Sequence, residues 1–211
     1  MAEDLIQALR QAEIIPQVIP EDRVTEIKSG LNIVYPNVTV SRGETPARRD
    51  VLEVPEIEFP AADPSASYTI ICTDPDLLMK GEQKLGPVRH WLQSGILFDS
   101  KTKRAAHQLG LNANVTKYLA PSPSPDFRFH RYVFIVARES PTYEAKGGKD
   151  YPVDGESDLK GRLQWNAAEY CTEEKLKIEG VGWMSVQADG PAIVENAKLT
   201  AESLVNKVLG K

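Results

Sequence analysis

Three histidines stand out in a chain of 211 residues. An imidazole changes charge near neutral pH and serves as donor, acceptor or proton carrier. His130 falls in Phe127–Ala137, a run rich in aromatic and β-branched residues. Strict alternation along a strand there puts Arg128, His130, Tyr132, Phe134 and Val136 on one face, and Phe129, Arg131, Val133 and Ile135 on the other. His130 thus shares its face with a cation and a phenol. His90 lies in Val88-Arg89-His90-Trp91-Leu92, where alternation groups it with Val88 and Leu92 on an apolar side. A lone histidine there is more often a hydrogen-bonded core residue than a functional one. His107 sits in the polar stretch Lys101–Gln108 and is expected to be exposed. The third element is Asp74-Pro75-Asp76, which follows the apolar run Tyr68–Thr73 and so places two carboxylates where a buried strand meets a loop. Asp and Pro are ordinary turn formers. In a functional setting, Asp74 would accept from an imidazole, fix its tautomer and favour its protonated form, so that the outward N–H grips an anion.

The elements that position these residues are short. Ala-, Leu- and Ile-bearing positions 5, 6, 9 and 12 share one face of a helix over residues 3–13 within an N-terminal helical segment, 1–20, that must end near Ile14-Ile15-Pro16. Strand-like pieces come next at Leu31–Tyr35, Val38–Val40, Val51–Phe59 and Tyr68–Thr73, separated by turn formers, and a longer one at Val88–Ile96. Residues 138–160 carry Pro141, Gly147-Gly148, Pro152 and Gly155 among many charges and suggest a long surface loop. A helix is expected over Leu159–Glu174, a strand over Val181–Gln187 and an amphipathic C-terminal helix within 191–211. Fifteen prolines, most of them between elements, speak against a helical bundle. The pattern predicts one domain over 1–211, mainly β with peripheral helices, as an antiparallel β-sandwich.

Composition narrows the function. With 25 Lys+Arg against 30 Asp+Glu, the net charge of −5 repels nucleic acid and anionic membranes at long range. No apolar run is long enough to cross a bilayer. Cys72 and Cys171 suggest no disulfide framework. Asn37-Val38-Thr39 and Asn114-Val115-Thr116 match the glycosylation sequon, but the acidic start Met1-Ala2-Glu3-Asp4-Leu5 is unlike a signal peptide, so a cytoplasmic location is expected. No Cys/His spacing suits zinc, and no phosphate-binding Gly-Lys-Ser/Thr loop, Gly-x-Ser-x-Gly elbow or dinucleotide fingerprint occurs, so neither metal nor cofactor is expected.

Taken together, Tyr68–Thr73 with Asp74-Pro75-Asp76, the intervening Arg89-His90-Trp91-Leu92, Tyr118 with Pro121-Ser122-Pro123, and His130-Arg131-Tyr132-Val133-Phe134 resemble the phosphatidylethanolamine-binding protein family. Gly161–Asn166, Leu5-Ile6-x-Ala8-Leu9 and Ile14-Ile15-Pro16 look like its fungal members. The resemblance implies an antiparallel β-sandwich with a shallow pocket for phosphate, a phospholipid headgroup or a carboxylate. Its ligand-binding residues would be Asp74, Pro75, Asp76, His90, Ser122, Pro123, His130 and Tyr132. Arg131, on the opposite face, would be a structural ion-pair partner, for Asp76, rather than a ligand contact. Two departures stand out: Leu78 replaces the second proline of Asp-Pro-Asp-x-Pro ahead of an altered loop 77–87, and Arg128 replaces the glycine of Gly-x-His-Arg. Arg128 is expected at the pocket rim, turning preference towards a compact carboxylate or dicarboxylate. Small-anion or headgroup binding is the leading expectation. One alternative is an enzyme of secondary metabolism acting on an anionic or anhydride-like substrate, with His90 or His130 as proton carrier, Asp74 its orienter and Arg128 the anion clamp. Another is a protein partner, a serine carboxypeptidase inhibited through Met1–Leu9 or a kinase.

Overall fold

The computed structural model describes residues 2–76, 86–106, 114–123, 129–144, 160–191 and 194. It opens with helix α1 (Ala2–Gln11), a single turn α2 (Ile14–Gln17) and a 3-10 turn at Glu21–Glu26. The strands are, in chain order, β1 (Ser29–Gly30), β2 (Asn32–Val34), β3 (Thr39–Val40), β4 (Arg42–Glu44), β5 (Glu56–Glu58), β6 (Tyr68–Asp74), β7 (Val88–Phe98), β8 (Ala105–Ala106), β9 (Asn114–Thr116), β10 (Phe129–Arg138) and β11 (Lys177–Gln187). Helix α3 (Ala167–Glu173) precedes β11. The large sheet runs β1-β11-β10-β6-β7-β8, with β4 added to β11 and β9 to β7, and a small sheet runs β3-β2-β5. The long central pairs are antiparallel, while β1 and β4 join β11 in parallel.

Alternation on β10 builds two cores. Val133, Ile135 and Ala137 face α1, α2 and α3, packing with Leu5, Leu9, Ile14, Ile19 and Tyr170. Tyr132, Phe134 and Val136 face the small sheet, packing with Ile33, Ile57, Phe59 and Tyr68. The small sheet closes against β11 because Gly180 has no side chain: an added Cβ would stand 2.6 Å from Leu31 Cδ2 and 3.0 Å from Phe59.

Strand β7 departs from simple alternation twice. Opposite β6, Cys72 faces Trp91 and Thr73 faces Arg89, so His90 is an extra residue, a β-bulge. A second slip lies between the Tyr68–Ile96 and Ile70–Gln93 pairs, where Gly95 takes φ 71°, a conformation open to glycine. The first bulge corrects the expected grouping of His90 with Leu92. Leu92 packs on the helical side, whereas His90 and the adjacent Trp91 both turn to the other face, His90 against Tyr132 with ring centroids 5.0 Å apart.

Two further expectations are corrected. Only Glu56–Glu58 of the strand expected over Val51–Phe59 is paired, since Arg48–Asp50 forms a 3-10 turn and Pro55 interrupts the chain just before the paired residues. The helix expected over Leu159–Glu174 is a 3-10 turn at Lys160–Arg162 and a separate α3, started by the Asn166 side chain accepting from the Ala168 and Glu169 amides. The C-terminal helix expected within 191–211, apart from helical residues 191 and 194, and most of the loop over 138–160 lie outside the described residues.

Two buried arginines tie the layers together. Arg131 gives Nη2 to Asp76 Oδ1 at 2.6 Å and Nε to Oδ2 at 2.8 Å, and its own amide also reaches Oδ2. Its remaining donors bond Ala12 O and Gln17 Oε1, at the end of α1 and in α2. Arg162 aims Nη1 at three carbonyls, Arg89 O at 3.3 Å, His90 O at 3.1 Å and Lys117 O at 3.0 Å. It therefore holds the bulge that aims His90. Arg131→Met should lower stability by about 3–5 kcal/mol in urea titrations, because Asp76 is left buried without its counter-charge. Arg162→Met should cost about 1–3 kcal/mol, His90 O keeping the Leu119 amide as a donor, and should displace the His90 ring resonances in NMR spectra.

Candidate functional site

At the end of β6, Asp74 and Asp76 are two residues apart, and on β10 His130 and Arg131 are adjacent, so they point to opposite faces. Each carboxylate takes one of them. Asp74 Oδ2 accepts from His130 Nδ1 at 3.0 Å, with both side chains buried. Asp74 Oδ1 accepts from the Asp76 amide at 2.7 Å, which fixes the turn through buried Pro75. Asp76 is therefore set apart from the pocket side chains: its carboxylate is engaged by Arg131 on the helical side.

On the His130 side, the structure brings together Asp74, His90, Tyr132 and Ser122. Tyr132 is wholly buried and packs edge-to-face against the His90 ring. Its hydroxyl lies beside the Ser122 backbone amide but forms no hydrogen bond of good geometry. Burial, then Asp74 and Cys72, push the Tyr132 phenol well above its ordinary range, so it remains a protonated donor. His90 Nδ1 donates to Leu119 O at 2.9 Å, and the Leu119 amide donates back to His90 O at 2.8 Å. Burial is the largest influence on the His90 imidazole and lowers it; Asp74 and the Leu119 carbonyl pull the other way, while Arg162 and His130 add to the lowering. His90 is accordingly a neutral ring with Nδ1–H committed and a lone pair at Nε2.

The wall carrying Pro121, Ser122 and Pro123 is buried and anchored from behind. Arg48 Nε donates to Pro121 O at 2.7 Å, and its Nη1 lies 3.5 Å from Asp189. The Arg48 charge reaches Tyr132, tending to lower its phenol. Beside the wall, Tyr118 stacks edge-on against Trp91 and donates to Val51 O at 3.2 Å. Arg48 and Arg162 are the residues sequence reasoning missed. Arg48 stands in Arg48-Arg49-Asp50 and Arg162 in Lys160-Gly161-Arg162, charged runs that ordinarily mark solvent-facing positions; the partners that explain their burial, Pro121 O and Asp189 for Arg48 and three carbonyls for Arg162, come mostly from segments distant in the chain. Arg128, Leu78 and His107 lie outside the described residues, and with Arg128 goes the anion clamp of the enzymatic alternative. Among the described residues, no cluster of His, Cys, Asp and Glu is arranged to hold a metal, and no helix is long and apolar enough to cross a membrane.

The arrangement offers an imidazole backed by a carboxylate, an imidazole backed by a carbonyl, and a phenol hydroxyl, converging from three segments. Comparison with solved structures finds the same fold. A carboxypeptidase Y inhibitor complexed with its cognate proteinase superposes with a TM-score of 0.69 at 17% identity, covering 90% of this chain and 97% of that one. The phosphatidylethanolamine-binding protein from Plasmodium vivax gives 0.70 at 22% identity, over 87% and 97%. Its counterpart from Plasmodium falciparum gives 0.63 at 21%, over 86% and 96%. In sequence, the model of the family described as phosphatidylethanolamine-binding protein matches residues 26–179, spanning β6, both histidine-bearing strands and the Pro121–Pro123 wall. The chain belongs to the phosphatidylethanolamine-binding protein family.

Proposed function

We propose that the protein binds a small oxyanion, free or as part of a phospholipid headgroup, in the pocket of His130, His90, Tyr132 and the Ser122-Pro123 wall, framed by Asp74, Pro75 and Asp76. The buried His130–Asp74 pair carries this reading. A carboxylate on Nδ1 orients the ring and supports a positive charge on it, so that Nε2–H is directed away from Asp74 as a charge-assisted donor. The Tyr132 hydroxyl, buried and lacking a well-formed hydrogen bond, is a second donor awaiting an acceptor. The family match supports the reading from a separate direction.

A second reading comes from shape, since one similar structure is a proteinase inhibitor bound to its proteinase. In this chain Leu5 and Leu9 are buried against the large sheet. Helix α1 is thus part of the fold, and a proteinase contact there would use its outward face, where Gln7 and Arg10 are exposed.

Titration with inorganic phosphate, followed by calorimetry, tests the first reading: His130→Ala should weaken binding at least about tenfold, or roughly 1.4 kcal/mol, and Asp74→Asn should act in the same direction. Vesicles containing phosphatidylethanolamine, run beside free phosphate, distinguish a headgroup from a free ion. For the second reading, the protein should inhibit a serine carboxypeptidase in a peptide-hydrolysis assay, and Gln7→Glu should weaken that inhibition about tenfold without lowering the melting temperature.

A further inference from the structure

The two pocket histidines have their ring nitrogens committed differently. His130 gives Nδ1–H to a carboxylate, an acceptor whose charge can balance a second N–H at Nε2. His90 gives Nδ1–H to the neutral Leu119 carbonyl, which sustains a charge far less. Among the described residues, the groups facing His90 are Asp74 from β6, His130 and Tyr132 from β10, Arg162 from the 160–162 turn, and the Leu119 carbonyl from the segment after β9. Of the charged neighbours, Arg162 and a positive His130 oppose a second positive ring, and the one that favours it, Asp74, is already bonded to His130. Arg162 is fixed there by the three carbonyls it serves. His90 therefore presents a lone pair at Nε2, and that atom bonds no described residue.

A fully deprotonated anion has nothing to give to a lone pair. We propose that the pocket takes up an oxyanion together with one proton, held between a ligand oxygen and His90 Nε2, while His130 Nε2 and the Tyr132 hydroxyl donate to its other oxygens. The count of protons then defines the ligand class. An oxyacid that keeps a proton near neutral pH, such as hydrogen phosphate, brings the proton with it. An ion without one, such as sulfate, enters only when His90 takes a proton from solvent. This rests on the anion-pocket reading above and adds to it a proton stoichiometry and a preference among anions.

Calorimetry with sulfate and with inorganic phosphate, each in two buffers of different ionisation enthalpy from about pH 5.5 to about pH 8, measures the proton uptake. Sulfate at the upper end should take up close to one proton, and its affinity should fall about tenfold per pH unit there. Phosphate should take up little or no proton from solvent across this range, because hydrogen phosphate still carries one above its second ionisation. Nitrogen-15 spectra should show His90 Nε2 becoming protonated on addition of sulfate. His90→Asn, whose amide can still meet the Leu119 carbonyl but cannot hold a proton, should abolish both the uptake and the pH slope of sulfate binding. Sulfate affinity that stays flat with pH, or a proton that appears on His130 instead, overturns the proposal while leaving the anion pocket standing. Failure of both ions to bind overturns the pocket reading and this inference with it.

Discussion

The structure hangs on two buried pairs, a carboxylate with an imidazole and a carboxylate with a guanidinium, that straddle one point, the end of β6 beside β10. Asp74 takes His130 on one face of the sheet, and Asp76 takes Arg131 on the other. Burying any of these groups alone would cost several kcal/mol, so each fixes its partner's place. The Arg131 pair does more than offset its own burial. Its spare donors reach Ala12 and Gln17, so the N-terminal helical segment docks on the same charge that holds the turn carrying Asp74. The pocket side and the helical side are thus coupled through two residues of a single turn, and a change to one carboxylate is felt on both faces.

Strand periodicity disclosed much of this frame. On β10 the alternation expected from Phe129 to Val136 matches the two cores, because the strand pairs with β6 and β11 without a slip until Val136. It also set Arg131 opposite His130. On β7 the same reasoning misplaced His90, because a bulge adds one residue and reverses the parity beyond it. No residue in Val88–Leu92 announces that slip. Its cause lies far off in sequence, in the Arg162 guanidinium that collects the carbonyls of Arg89 and His90. Of the two bulges, only the one at Gly95 leaves a residue type that hints at it.

The remaining misreadings share a cause. Val51–Phe59 has the composition of a strand, but Leu52 and Val54 are exposed and only Glu56–Glu58 finds a partner, so burial and pairing decided what composition left open. Leu159–Glu174 has helical spacing, yet the segment breaks at Gln164, whose φ is 55°, and lays Trp165 under Arg89 at 5.2 Å. Arg89 in turn donates to Gly161 O. Packing of the β7 start on this segment outweighs the weak gain from extending the helix.

The charge of the chain and the charge of the pocket pull in opposite directions, and distance decides between them. The net charge of −5 acts through solvent, where salt screens it over roughly 8–10 Å. Arg48 and Arg162 act from inside the protein, behind the wall and beneath His90, where screening is weak. An extended polyanion meets the first field over its whole length and the second hardly at all. A small anion held as proposed beside Tyr132 and His90 would feel both buried guanidinium charges, Arg48 acting on Tyr132 and Arg162 on His90. On the proposed anion-binding reading, these surroundings would disfavour an extended polyanion and the interior would favour a compact oxyanion, with His90 setting how many protons come with it.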